Sequence, residues 1–238
     1  MTSRLPGQRT GRSYTPRNVL LQERGALYLP GGAVIDATYS YDGANTSYER
    51  EIRAGVVLGK LSSGMWAPCK LTSIASGTSG SGSGASTTTF NVTDARHFEV
   101  DDIISVPTTA GRLTRTISAI NYTTNVITVS VAIVNGLTTT LAQPGVGIGN
   151  CIYPHSSDPA TGVEVPRAIL NEFVDLIDHD DNTARDRTIK NGVIAGIVDE
   201  DLILGDLAAI RAAQAEQTTA PIAFLDKIIW ADRNGISA

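Results

Sequence analysis

"GVVLGKLSSG", Gly55 to Gly64, decides how the chain is read, because it is either a phosphate-binding loop or part of a sheet. A phosphate loop needs two glycines with four residues between them, then Lys and a hydroxyl side chain, so that consecutive N–H groups curl around the phosphates. Here only Val56, Val57 and Leu58 separate Gly55 from Gly59, and Leu61 follows Lys60 where a Ser or Thr would hold magnesium. The apolar run has nowhere to put its side chains in such a loop. The stretch reads instead as a strand, Ala54 to Leu61, turning at Ser62 to Gly64 into a second strand that carries Trp66 and Cys69. Lys60 is then a solvated residue on a sheet edge.

The neighbouring segments are similar in style. "AVIDATYSYD" and "EIRAGVVLGKL" read as strands, and "RTIKNGVIAGIVDEDLIL" as strand with a bulge or kink at Asn191-Gly192. "RAILNEFVDLID" and "IAFLDKIIWADRNG" fit either strand or helix. "DLAAIRAAQAEQ" reads as a helix: Asp206 is a good N-cap, the run is rich in Ala, and Leu207, Ile210, Ala213 and Gln214 share a face.

"SGTSGSGSGAS", Ser76 to Ser86, holds only Ser, Gly, Thr and Ala, reads as a flexible linker, and would let one unit swing against another. From Ser76 to Asn150 there is no Lys and there are fifteen Thr. Runs such as "TTTFNVTD", "DIISVPT" and "LTRTISAINYTTNVITVSVAIV" alternate with period two. Ile127, Val129 and Val131 form one apolar face, and Asn121 to Asn125 turns between two strands. The region is expected to be an all-β module of about five strands inserted between two strands of a host domain. Cys69 and Cys151, the only cysteines, then lie at the root of the insertion, either bonded to each other or as two buried thiols.

The chain has 238 residues, 42% of them hydrophobic, and a net charge of −5. That suffices for a core and argues against a nucleic-acid partner held by phosphate neutralisation. No run approaches the ~20 apolar residues of a membrane span, and the N-terminus lacks the apolar centre of a secretory signal. Synthesis in the cytoplasm is the expectation. The first 22 residues contain Arg4, Arg9, Arg12 and Arg17 and no acid, so the −5 of the whole divides into +4 for this arm and −9 for the remainder. The arm is either a solvated terminus or a segment that orders on a partner surface.

No constellation selects a reaction. Asp178, Asp180 and Asn182 match the opening ligands of a calcium loop, but Thr183 stands where Gly is needed and Ile189 where a closing Glu belongs. His97, His155 and His179 sit in no nucleophile motif. With 5% aromatic residues there is little material for a stacking platform.

"RAGVVLGKLSSGMWAPC", Arg53 to Cys69, resembles the "AGxVLGKxTxxGKYxPY" signature of phage head decoration proteins, the family of the lambda capsid-stabilising protein. "RAILNEFVDLIDHDD" from Arg167, "KNGVIAGIVDEDLIL" from Lys190 and "DLAAIRAAQ" from Asp206 match, in order, that family's apolar segment, acidic loop, N-G strand and small helix. The resemblance spans both flanks and not the Thr-rich region. It implies a mainly β, discontinuous core (26–75 and 151–238) with one short helix, an extended arm (1–25), and an insertion (76–150) with its linker at 76–86. It also implies a homotrimer that binds the major capsid protein on the outer surface of a virion and stabilises the expanded head, with no catalysis, no cofactor, no metal and no membrane partner. Arg4, Arg9, Arg12, Tyr14 and Arg17 of the arm are the candidate capsid-binding residues. The inserted module is expected to contact coat or neighbouring copies, with adhesion to a host-surface glycan as the alternative.

Overall fold

The computed structural model describes residues 18–75, 85–138, 149–178, 181–217, 228–232 and 235–236. In chain order the elements are β1 (Leu20–Tyr28), β2 (Ala33–Ile35), β3 (Glu51–Ile52), β4 (Val57–Lys60), β5 (Trp66–Pro68), β6 (Thr72–Ser73), β7 (Thr87–Asn91), β8 (Ile103–Thr108), β9 (Gly111–Asn121) and β10 (Val126–Ile133). There follow β11 (Cys151–Pro154), β12 (Ala168–Leu170), β13 (Val174–Asp175), β14 (Ile177–Asp178), β15 (Thr183–Ala184), β16 (Arg187–Ile189) and β17 (Gly192–Asp199). A 3-10 turn (Glu200–Leu202), the helix α1 (Leu207–Gln217), β18 (Ile228–Asp232) and β19 (Gly235–Ile236) complete the chain. The protein is mainly β with one short helix.

The larger sheet runs β16-β2-β5-β4-β12-β17-β18-β19, with β1 also on β17. Val193 pairs with both Ile169 and Tyr28, and Val198 with both Leu20 and Trp230. A residue has only two ladder sides, so β12 and β18 share one edge of β17 in succession and β1 takes the other. Both faces of the sheet are buried, and period two sorts its residues between them. Val57, Ile169 and Val193 face one cluster, which Ala209, Ile210 and Ala213 of α1 cover. Val56, Leu58, Ala168 and Leu170 face the other, with Ile35, Ile52 and Ile189. Each such aliphatic side chain contributes roughly 1.5–3 kcal/mol on burial. A strand covered on two sides tolerates an unbroken apolar run, which is why "GVV" and "GVIAGIV" show little polar alternation.

The second sheet runs β6-β11-β8-β9-β10-β7. Its ends meet: Ile74 bridges Val92, Ala75 N donates to Asn91 O (3.0 Å) and Thr93 N to Ser73 O (2.9 Å). The six strands therefore form a closed barrel filled by Ile74, Phe90, Ile104, Ile117, Ile127 and Ile152, among others.

This closure corrects several expectations. β6 and β11, assigned by sequence to the host core, are staves of the barrel, which extends from Thr72 to Pro154 instead of 76 to 150. The hinge expected at 76–86 does not separate two units. Ser76 to Gly84 lies outside the described residues, but Ala75 before it and Ala85 after it, which accepts from Gly136 N at 2.8 Å, are both tied into the same barrel. Val131 is 61% exposed while Ile127, Val129 and Ile133 are buried. The reason is a bulge: β10 pairs with β7 at Thr128 and next at Ile133, so the alternation is interrupted between them. The arm expected to end at residue 25 gives way to β1 at Leu20. Of "AVIDATYSYD" only Ala33–Ile35 is strand, and 36–50 is a long loop. Lys60 is exposed as expected, but β4 lies between β5 and β12 and is no edge.

The glycines of the opening stretch now have a packing role. Gly55 has φ +98°, and a Cβ there would strike the Leu202 carbonyl oxygen. A Cβ on Gly59 would strike the backbone of Val163. Ser62 to Gly64 forms the expected turn, with Gly64 N donating to Leu61 O at 2.9 Å. Because the atoms in the way at Gly59 are backbone, Gly59→Ala is expected to lower stability by about 1–3 kcal/mol in urea unfolding. An unchanged midpoint would show that the 160–165 segment moves freely.

Candidate functional site

The richest polar arrangement lies where one rim of the barrel meets the sheet. Its sheet side is the 36–50 loop. Asp36 Oδ1 accepts from the N–H groups of Thr38 (2.8 Å) and Tyr39 (3.1 Å), the Asx geometry that starts a loop. Arg50 then gathers the loop, with Nη1 donating to the carbonyls of Ala37 (3.1 Å), Thr38 (3.1 Å) and Ser40 (2.7 Å). Its Nη2 reaches across to Glu99 Oε2 at 3.0 Å. Two further bonds cross the seam: His97 Nδ1 to Tyr41 O (2.8 Å) and Gly43 N to Arg96 O (2.8 Å). The Tyr41 and Tyr122 rings stand 5.8 Å apart, and Gly43 lies so close under Tyr122 that a Cβ there would enter the ring.

Beside this, Lys70 enters the barrel from the strand-to-strand link after β5 and is fully buried. Its Nζ lies 2.8 Å from each oxygen of Asp102, whose Oδ2 also accepts from Glu99 N at 2.8 Å. Burial pushes the Glu99 and Asp102 carboxyls above their ordinary range, against the pull of Lys70. Burial likewise raises the Tyr41 and Tyr122 phenols, and it lowers His97 against the attraction of Asp42. Each carboxylate has a cation at hand: Arg50 for Glu99, Lys70 for Asp102, Arg53 for Asp42 and Arg96 for Asp94. Of these, Arg50–Glu99 and Lys70–Asp102 run between the sheet side and the barrel and hold the two against each other, whereas Arg53–Asp42 lies within the sheet side and Arg96–Asp94 within the rim. One more carboxylate joins barrel, sheet and helix: Asp206 Oδ1 caps α1 through Ala209 N (3.0 Å), and Oδ2 accepts from Ser73 N (2.7 Å) and Ser73 Oγ (2.5 Å).

The candidate residues of the arm, Arg4, Arg9, Arg12, Tyr14 and Arg17, lie outside the described residues. Cys69 and Cys151 are buried in a single apolar cluster without a disulfide between them, and burial pushes Cys69 far above the usual thiol range. In the acidic stretch Arg185 pairs with Asp178 (3.0 Å) and Asp181 (2.6 Å), and Asn182 takes the left-handed conformation (φ +56°) between β14 and β15. Asp180 and His179 lie outside the described residues. Among the described residues no three His, Cys, Asp or Glu side chains group as metal ligands. His155 Nδ1 is 2.8 Å from Ser157 Oγ, but the neighbouring Asp158 carboxylate serves the backbone of Ile103 and Ala160, so it does not orient the imidazole.

Sequence reading missed the seam. A signal was there in "WAPCKLTSI", where one Lys interrupts an apolar run, although nothing local indicates that its partner is Asp102, 32 residues on. No protein-family model matches the chain, and no curated protein or solved structure matches it significantly. What fold and seam define is a class: a β sheet carrying a closed barrel held to it by hydrogen bonds and ion pairs, of which Lys70–Asp102 is buried.

Two outcomes follow. Lys70→Ala, which leaves Asp102 without its buried cation, is expected to lose about 3–5 kcal/mol of stability, and the double change Lys70→Met with Asp102→Leu to recover most of it; urea unfolding of both variants checks this. A thiol reagent is expected to label neither cysteine in the native protein and both after unfolding, because a buried, protonated thiol is a poor nucleophile.

Proposed function

We propose that the chain is a structural, non-enzymatic decoration protein that binds the major capsid protein on the outside of an icosahedral phage head as a homotrimer and stabilises the expanded shell. The observation that carries this reading is β1. It lies along the outer side of β17 with no second strand partner among the described residues, and it directly follows the basic arm. Leu21, Leu27 and Tyr28 on it are exposed. On this reading the arm attaches by strand addition, which demands little of side-chain identity. β1 itself is guarded: four residues, Glu23 to Ala26, stand between the pairings of Gln22 with Ile197 and Leu27 with Ala195, a bulge that blunts indiscriminate edge pairing. On this reading attachment belongs to the arm and its arginines. The resemblance of Arg53 to Cys69 to the decoration-protein signature supports the same reading.

Purified protein mixed with expanded, undecorated capsids is expected to bind saturably in multiples of three copies and to raise their melting temperature. Removing residues 1–17 is expected to weaken binding at least tenfold with an unchanged far-ultraviolet spectrum. Absence of binding by the full chain overturns the reading. Selective capture on a glycan array without capsid binding favours the alternative of an adhesion module carried by the barrel.

A further inference from the structure

We propose that the 36–50 loop is an acid-released strap on the barrel rim, with His97 as its catch. The loop contains no strand and crosses the rim between β2 and β3. Its links to the rim include those of Tyr41 O to His97, Gly43 N to Arg96 O and Arg50 to Glu99, with Tyr41 and Gly43 also packed against Tyr122. The first of these fixes the protonation state of the ring. A carbonyl only accepts, so His97 Nδ1 carries the hydrogen and Nε2 of the neutral ring is bare. Nε2 is buried with no hydrogen-bond partner among the described residues, in a side chain only 4% exposed.

A proton added to Nε2 in the closed seam becomes a buried cation whose new N–H has no bonded acceptor. The charged groups facing the ring divide. Asp42, on the strap, attracts the cation most: its Oδ2 is held by Arg53 at 2.7 Å, and its Oδ1 is buried without a hydrogen-bond partner among the described residues and makes no bond to the ring. On the rim segment itself Arg96 repels, and Asp94 attracts while bound to Arg96 at 2.8 Å. Burial outweighs their sum and holds the closed ring neutral. Once the strap lifts, water solvates the ring and it titrates near its ordinary value of about 6.5.

The sign follows from linkage. Closed His97 binds fewer protons than released His97, so the strap's closure is complete above about pH 6.5 and weakens as pH falls below it. One proton taken up only by the released form raises its population about tenfold between pH 7.5 and 5.5. Glu99 and Asp102 work in the other sense, because burial raises them and closure favours their protonated forms. A variant that changes His97 alone separates the two contributions.

The reporter is the Gly43 amide, whose bond to Arg96 O crosses the seam, and the internal control is the Val92 amide, bonded to Asn125 O at 2.9 Å within the rim. Hydrogen exchange of the full chain is measured at pH 7.5 and 5.5 and expressed as protection factors, which removes the intrinsic pH effect. Gly43 protection is expected to fall about tenfold in the wild type. In His97→Asn, whose amide can still donate to Tyr41 O but does not titrate, it is expected to hold or rise, because only the opposite contribution of Glu99 and Asp102 is left, while Val92 protection stays constant in both proteins. An equal fall in wild type and variant, no fall in the wild type, or a matching fall at Val92 overturns the proposal. If the variant does not fold, a nuclear magnetic resonance titration of the wild-type histidines decides it. His97 must titrate below the ordinary imidazole value of about 6.5, and titration at or above that value overturns the proposal.

Discussion

The bridge between Ile74 and Val92 is the constraint from which the rest of the molecule follows, because it closes six strands into a barrel. A closed barrel has no free edges, so its outer wall can be rich in Thr and Ser without offering a template for further pairing. Closure also consumes β6 and β11, the strands by which the chain enters and leaves. The barrel is thereby joined to the sheet by two staves of its own wall and not by a tether, and the polar contacts at its rim act between surfaces already held in register. Asp206 shows the economy of this arrangement, since one carboxylate begins the helix and anchors β6.

Burial sets the chemistry of the seam. Lys70 and Asp102 meet where neither has water to solvate it, so the pair is worth more as a constraint on geometry than as net stability. Removing either partner leaves the other charge stranded, whereas removing both leaves a cavity that apolar side chains can fill. Histidine stands apart within this network because burial holds it neutral; its Nε2 lacks a partner among the described residues, as do Asp42 Oδ1, Arg53 Nε and Arg96 Nη1. A tightly matched set of charges with one unmatched titratable ring has the ingredients of a catch that responds to protons but stays closed at neutral pH.

The proposed role on a capsid and the fold make compatible demands. A protein that must cling to a shell needs a rigid body and an arm whose backbone is free to pair. The two-faced sheet and locked barrel supply the first, and the arm that precedes β1 is the candidate for the second. The acid-released strap is independent of that role, because it rests on the seam alone.

Local chemistry by itself determined the period-two strands, the turn at Ser62 to Gly64, the Asn121–Asn125 hairpin and the capping of α1 by Asp206. In each, the residues that decide the conformation are neighbours in the chain, so spacing is sufficient. The mainly β class follows from the same alternation. Only the tertiary structure decided the extent of the barrel, the exposure of Val131, the interior position of β4 and the pairing of Lys70 with Asp102. These depend on which strands meet across long stretches of chain, as Ile74 meets Val92 18 residues on and Ser73 meets Cys151 78 residues on around the closed barrel, with a bulge in the β10–β7 ladder. The reason is physical: hydrogen-bond direction along a strand carries no memory of its partner, and the burial that raises Asp102 and lowers His97 exists only once distant surfaces have closed over them.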